Sequence, residues 1–295
     1  MPSTSPAVTV RRPLVFISAL FLGLTLIYWL LSLGDSPTMG NFRLYQSQPR
    51  PLSLSHLAGL PIPPTLLISS APPHTTYKFF LLARHGQGTH NVAESFYGTQ
   101  AWDAHWSKLE GNGTVIWADA ELTDIGEGQA REAGKFISKL LGEGMPVPER
   151  WEVSPLRRCC HTASLTWADM TLPDGKEWRP VIREMLREVM GEHTCDRRSS
   201  RTTIHKLHPK FEIEKGFVEE DVLWQAEHRE TNDEHDVRSR AYLEAVFERE
   251  KGVSVVSTTS HSGSIASFLR VVGHRTFVVP TGGLIPVVVK GTRDE

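Results

Sequence analysis

Residues 79–91 read Phe-Phe-Leu-Leu-Ala-Arg-His-Gly-Gln-Gly-Thr-His-Asn, and the fold turns on this stretch. Phe79 to Ala83 is a short apolar run without alternation, the pattern of a parallel strand buried on both faces. It ends abruptly in Arg84-His85-Gly86-Gln87-Gly88-Thr89-His90-Asn91, a polar cluster with flanking glycines.

Working outward, the same texture recurs. Glu127 to Leu141 carries Ala130, Ala133, Phe136, Ile137, Leu140 and Leu141 at helical spacing, with Thr123 placed as N-cap. Trp151-Glu152-Val153 reads as a strand and 158–167 as a helix. Val253 to Thr259 is a β-branched strand followed by a helix over 265–272. Phe277–Val279 and Pro286–Lys290 flank the turn Thr281-Gly282-Gly283. Strands alternating with helices predict an α/β domain with a mostly parallel sheet and helices on both faces. Ligands of such sheets bind beyond the carboxyl ends of the strands.

Two further polar clusters fall between a strand and a helix, Ser154-Pro155-Leu156-Arg157-Arg158 and Ser260-His261-Ser262-Gly263. Imidazoles and guanidiniums would then converge on one crevice. That collection suits a phosphoryl group, because arginine offers a planar fork that matches phosphate oxygens. Imidazole is a competent nucleophile for a covalent intermediate, and glycine lets the backbone approach an anion. No GxxxxGK[ST] occurs, which excludes a nucleotide P-loop. No GxSxG occurs, which removes the usual serine hydrolase.

These elements resemble, in order across residues 76–290, those of the histidine phosphatase (phosphoglycerate mutase-like) superfamily. Arg84-His85-Gly86 resembles its RHG signature. Leu122-Thr123-Asp124-Ile125-Gly126-Glu127-Gly128-Gln129-Ala130 is similar to LTxxGxxQA. Ser154-Pro155-Leu156-Arg157-Arg158-Cys159 is similar to SPLxRA, with Thr162 in its usual place. Leu186-Arg187-Glu188 resembles LxE, and Ser260-His261-Ser262-Gly263 resembles SHGG, with Ser262 a departure. The run 83–91 with Cys195-Asp196-Arg197-Arg198 resembles most the phosphoglycerate-mutase-like phosphomutase proteins. The resemblance implies catalytic His85, Glu188 and His261. His85 would become a phosphohistidine, and Glu188 would protonate the leaving oxygen and then activate water. Arg84, Arg158 and His261 would bind phosphoryl oxygens, with Asn91 adding a hydrogen bond. No metal and no cofactor are implied. The leading activity is a phosphatase acting on a small phosphorylated substrate. The alternatives are a phosphomutase, which must shield phosphohistidine from water, and a non-catalytic binding module on the same fold.

Some residues keep rivals. Arg157 competes with Arg158, though the SPLxR spacing favours Arg158. Glu184 lies one helical turn from Glu188. Arg197, Arg198 and Arg201 form either a solvated loop or a second anion site for the rest of the substrate. The segment 191–235, of mixed charge and weak periodicity, is expected over the crevice.

The 295 residues, 40% of them hydrophobic, allow a sizeable core. A net charge of −2 without a basic stripe argues against nucleic acid as a partner. Cys159, Cys160 and Cys195 are too few for a disulfide scaffold; buried free thiols are expected, with one bridge from Cys195 as the alternative. Residues 13–34 form an uncharged apolar run of membrane-spanning length. It ends in Tyr28-Trp29-Leu30-Leu31, which suits a retained anchor better than a cleaved signal. Arg11 and Arg12 before it leave 1–12 as a cytosolic tail and send the rest across. A lumenal or extracellular domain follows, with Asn112-Gly113-Thr114 as a glycosylation sequon. Residues 35–75, rich in proline, read as a stem before the domain at 76–295.

Overall fold

The computed structural model describes residues 42–46, 71–249 and 252–293. The tail at 1–12, the apolar run at 13–34 and most of the stem therefore lie outside the described residues. Among the described residues, no helix is long and apolar enough to cross a membrane.

Among the described residues, seven strands form one sheet. They are β1 (Phe42–Gln46), β2 (Thr75–Arg84), β3 (Arg150–Val153), β4 (Pro180–Ile182), β5 (Glu212–Ile213), β6 (Val255–Ser260) and β7 (Leu284–Arg293). Their order is β1-β7-β2-β6-β3-β4-β5. From β2 through β6, β3 and β4 to β5 every pairing is parallel. β7 runs antiparallel to both β2 and β1. Residues 42–46 of the expected stem are thus joined to the domain as an edge strand. Phe277–Val279 contributes no strand; the chain enters β7 only after the turn at 281–283.

The apolar run in β2 is buried on both faces, as its lack of alternation required. Phe79, Leu81 and Ala83 pack with Ala133, Ile137 and Leu141 of α3 (Asp124–Gly142) and with Trp167 of α4 (Arg157–Trp167). Phe80 and Leu82 face the other way, onto Leu243 and Phe247 of α6 (Asn232–Arg249) and Ile265 and Phe268 of α7 (Ser262–Val271). Helices therefore cover both faces. Each of these large side chains contributes roughly 1.5–3 kcal/mol of burial, so the two helical layers hold the sheet from opposite sides.

Two shorter helices, α1 (Thr89–Tyr97) and α2 (Thr99–Ala104), follow β2 and enclose Trp102 and Trp117. A third short helix, α5 (Arg201–Leu207), lies in the segment 191–235. Local sequence sets the helix starts. The Thr123 side chain accepts from the Gly126 N–H, the N-cap expected of it, and Asp124 and Glu127 add charge of the favourable sign in the first turn. Gly134 lets α3 cross α4 closely, since a Cβ there would lie 2.7 Å from the Thr166 carbonyl oxygen. Cys159, Cys160 and Cys195 are all buried and free, with no bridge among them.

Candidate active site

Parallel pairing aligns the carboxyl ends of β2, β6, β3 and β4 along one edge. The register sets Arg84 opposite Ser260 and Val153 opposite Thr259. The residues that follow each strand therefore meet in one crevice. His85 is fixed from both sides by the backbone. Its N–H donates to the Ser260 carbonyl at 3.0 Å, and its carbonyl accepts from the Gly282 N–H at 2.9 Å.

The imidazole of His85 is buried, with Nδ1 2.6 Å from the Gly86 carbonyl oxygen. A carbonyl can only accept, so Nδ1 carries the proton and Nε2 keeps its lone pair. Burial, and then the charge of Arg158, push the His85 pKa well below its ordinary value. The ring is neutral, as a nucleophile must be. The His261 ring lies 5.1 Å away and that of His90 5.4 Å away, centroid to centroid.

Arg158 is 1% exposed. Its Nε donates to His261 Nδ1 at 3.3 Å, Nη1 to the Cys195 carbonyl at 2.6 Å and Nη2 to Asp196 Oδ1 at 2.9 Å. The first bond makes His261 Nδ1 an acceptor, so Nε2–H faces Ser154 Oγ at 2.7 Å. Both ring nitrogens of His261 are therefore engaged. Donating to a phosphoryl oxygen from Nδ1 requires a second ring proton, which a bound dianion favours and which burial and Arg158 oppose. Arg84 donates Nη1 to the Val279 carbonyl at 2.9 Å, while its buried Nε has no partner. Nδ1 of His90 is likewise buried and unpaired. Asn91 Oδ1 accepts from the Gly88 N–H at 2.9 Å, capping α1 and leaving Nδ2 without a partner among the described residues. Two orphaned polar atoms next to His85 are costly in isolation.

Burial and partners set the rival residues apart. Arg157 sits at the surface beside Glu121, whereas Arg158 is the arginine at His261. Glu184 pairs with Arg187 and Arg198. Glu188 instead lies across the crevice at the start of α7, where its Oε2 accepts from the Gly263 N–H at 3.0 Å and from Ser262 Oγ at 3.3 Å. A Cβ at position 263 would lie 2.0 Å from Glu188 Oε1, so any side chain there would displace the Glu188 carboxylate. The segment carrying Glu188 is held by Arg238, whose Nη1 donates to the Met185 and Arg187 carbonyls and whose Nη2 donates to that of Glu188.

One expectation needs correction. Arg198 is buried and all five of its N–H donors are used, on Glu184 and on the carbonyls of Ser199, Val218, Glu219 and Glu220. Its guanidinium also lies 4.1 Å from the Phe217 ring centroid. It ties down the 214–221 loop and has no donor left for a ligand. Arg197 is at the surface, on Glu110 at 2.5 Å and over Trp224 at 5.2 Å. Asn112 donates Nδ2 to Tyr97 Oη at 2.9 Å and accepts from the Thr114 and Val115 N–H groups, so the sequon is folded into a turn. Sequence reading missed Arg229 and Arg238, which sit in no recognisable motif, and it quoted Asp196 within Cys195-Asp196-Arg197-Arg198 without giving it a role. Asp196 bridges Arg158 and Arg229 through its two oxygens. The segment 191–235 does reach the crevice, through Cys195 and Asp196. His193, Cys195 and Asp196 lie close together, but both oxygens of Asp196 already hold arginines and burial raises the Cys195 thiol pKa.

The LTxxGxxQ residues act on the loop after His85. Thr123 Oγ1 donates to Gln87 Oε1 at 2.8 Å, and Gln129 Oε1 accepts from the Gln87 N–H at 2.8 Å. Gly86 and Gly126 pack backbone to backbone. A Cβ on Gly126 would lie 2.1 Å from the Gln87 carbonyl oxygen, and one on Gly86 would lie 2.2 Å from that of Gly126. Gly126→Ala therefore forces the His85 loop off α3, at a cost of about 1–3 kcal/mol. Denaturant unfolding should show a lowered midpoint, and an unchanged midpoint would contradict this contact.

Buried imidazoles also set the response to acid. Burial pushes His235, which makes no hydrogen bond at either ring nitrogen among the described residues, from 6.5 down to about 2, and His208 to about 4. Both folded-state values lie below the unfolded value. Between them the unfolded chain binds protons that the folded chain does not, so stability is lost as pH falls below about 6.5. Thermal melts from pH 7 to 4.5 should show a falling midpoint, with a shallower slope in His235→Phe. Equal slopes would exclude His235 as a source.

The model of the histidine phosphatase superfamily (branch 1) matches residues 80–277. A probable phosphoglycerate mutase of Arthroderma benhamiae is 44% identical over 220 residues, covering 75% of this chain and 65% of that protein. Phosphomutase-like protein 3 of Candida albicans is 40% identical over 212 residues, covering 72% of this chain and 65% of that protein. The chain thus spans slightly under two thirds of the length of these two relatives. Among solved structures, the ecdysone phosphate phosphatase of Bombix mori aligns over 71% of this chain and 88% of its own, with 18% identity and a TM-score of 0.47.

Proposed function

Since the chain belongs to the histidine phosphatase superfamily, branch 1, we propose that it hydrolyses a small phosphate ester through a phosphohistidine on His85. The observation that carries this reading is the His85 imidazole itself. It is neutral, with Nδ1–H held on the Gly86 carbonyl and Nε2 free, beside an arginine whose buried Nε has no partner. An incoming phosphoryl group satisfies that orphaned donor.

In the first step His85 Nε2 attacks phosphorus, the P–N bond forms and the ester P–O bond breaks. Arg84 and Arg158 offset the charge on the equatorial oxygens, and Asn91 Nδ2 adds a donor. Phosphoryl transfer asks little covalent work beyond this positioning. Glu188 gives its proton to the leaving oxygen. In the second step Glu188 takes a proton from water, the water oxygen attacks phosphorus, and inorganic phosphate and free His85 result. Glu188 is suited to this exchange because Arg238 and the start of α7 fix its position.

A second reading is favoured by the names of the relatives, a probable phosphoglycerate mutase and a phosphomutase-like protein. There the acceptor is a hydroxyl of a second phosphorylated molecule instead of water. The two are separated by turnover in ¹⁸O-labelled water across sugar phosphates, phosphorylated hydroxy acids, nucleotides, phosphopeptides and prenyl diphosphates, without added metal. Hydrolysis releases phosphate carrying one labelled oxygen. Isomerised product without phosphate release replaces the phosphatase reading with the mutase. The anchor at 13–34 is part of the same proposal, and full-length protein should resist carbonate extraction while a chain lacking residues 1–34 does not. Extraction of both alike removes the anchor.

A further inference from the structure

We propose that Arg229 forms a second anion subsite beside the phosphoryl site, taking a carboxylate or similar anionic group on the part of the substrate that is not transferred. The inference rests on the phosphoryl-transfer reading and deepens it by naming a substrate class.

Arg229 is fastened at one nitrogen only. Its Nη1 donates to the carbonyls of Val189 and Gly191, each at 2.8 Å, and to Asp196 Oδ2 at 2.9 Å. Its Nε and Nη2 have no protein partner among the described residues, and the side chain is 28% exposed. A planar fork pinned at one tine and open along the Nε–Nη2 edge is preorganised for a carboxylate, whose two oxygens match that edge.

The position is as telling as the free edge. Val189 follows Glu188, so Arg229 grips the chain next to the proposed acid. Asp196 holds Arg158 with its other oxygen at 2.9 Å. One carboxylate thus lies between two guanidiniums, one serving the phosphoryl site and one opening outward. The neighbouring arginines do not compete for the role. Arg198 has no donor left, Arg187 is buried on Asp221 and Glu184, and Arg197 is turned onto Glu110.

The test compares two probes that differ only distal to the phosphate, phosphoglycolate and ethyl phosphate. Calorimetric titration of the full chain gives the ratio of their dissociation constants. The wild-type chain should prefer phosphoglycolate by roughly 10–100-fold, the worth of a charge-assisted bidentate contact. In Arg229→Met the ratio should fall to near one, whatever the loss common to both probes. Arg229→Lys, which keeps the charge but not the fork, should give an intermediate ratio. A wild-type ratio near one overturns the proposal, and so does a ratio unchanged in Arg229→Met, which would leave Arg229 a purely structural clamp on Val189 and Gly191. If the preference holds and vanishes in Arg229→Met, yet no phosphate is released from either probe, the subsite stands and only the proposed turnover falls.

Discussion

His85→Ala reduces phosphate release to the uncatalysed rate while the protein stays folded. The expectation follows from what surrounds the ring. Among the described residues the side chain makes one hydrogen bond, to the Gly86 carbonyl, so its removal leaves the backbone bonds of the loop in place. No neighbour takes over the attack. Both ring nitrogens of His261 are engaged, by Arg158 and Ser154. The thiol of Cys159 donates to the Ser260 carbonyl at 3.3 Å, and burial raises its pKa far above the thiolate range. The His90 ring lies 5.4 Å from that of His85, centroid to centroid, and so does not occupy the attacking position. Stability should be nearly unchanged in denaturant unfolding, which separates lost chemistry from lost fold. Residual turnover within tenfold of wild type would contradict the assignment.

The second large effect separates chemistry from binding at Glu188. A general acid matters when the leaving group is a poor one, such as an alkoxide, and much less for p-nitrophenolate, which departs without a proton. General acid catalysis is worth about 10²–10⁴-fold. Glu188→Gln should therefore lose that factor toward alkyl phosphates and far less toward p-nitrophenyl phosphate. Glutamine keeps an oxygen for the Gly263 and Ser262 donors, so the start of α7 stays capped. Arg158→Ala should depress both substrates alike, because it removes contacts to the phosphoryl group that every substrate shares. Glu184→Gln should show no leaving-group dependence. It loosens the pairs to Arg187 and Arg198 and appears as lost stability. Equal losses on both substrates in Glu188→Gln would move the acid elsewhere.

Local pattern made much of the fold legible, because β2, α3 and α4 are defined by short-range periodicity and caps. The strands β1 and β5 were not, since five and two residues form strands only through partners far along the chain. Helix α6 escaped for another reason. Its buried face includes His235, Arg238 and Ser239 beside Tyr242, Leu243, Val246 and Phe247, so its first half reads as a polar segment. The same division runs through the site. Arg84, His85, Arg158 and His261 stand in strand-end motifs and meet because parallel strands align their ends. Asp196, Arg229 and Arg238 act on residues 33–53 positions away, through carbonyls and carboxylates that only the folded chain brings near. Arg198 was misjudged for that reason as well. Beside Arg197 it reads as half of a basic pair, whereas Glu184 and four carbonyls of the surrounding loops occupy it.

The central claim is a covalent phosphoryl group on His85, and rapid quench followed by peptide mapping tests it directly. The enzyme is mixed with excess p-nitrophenyl phosphate, stopped in alkali within the first turnovers, and digested at high pH, where phosphohistidine survives. The account predicts a phosphorylated peptide containing His85, lost on brief acid treatment and absent from His85→Ala. Phosphate mapped to another residue, or a label that persists in His85→Ala, would contradict it.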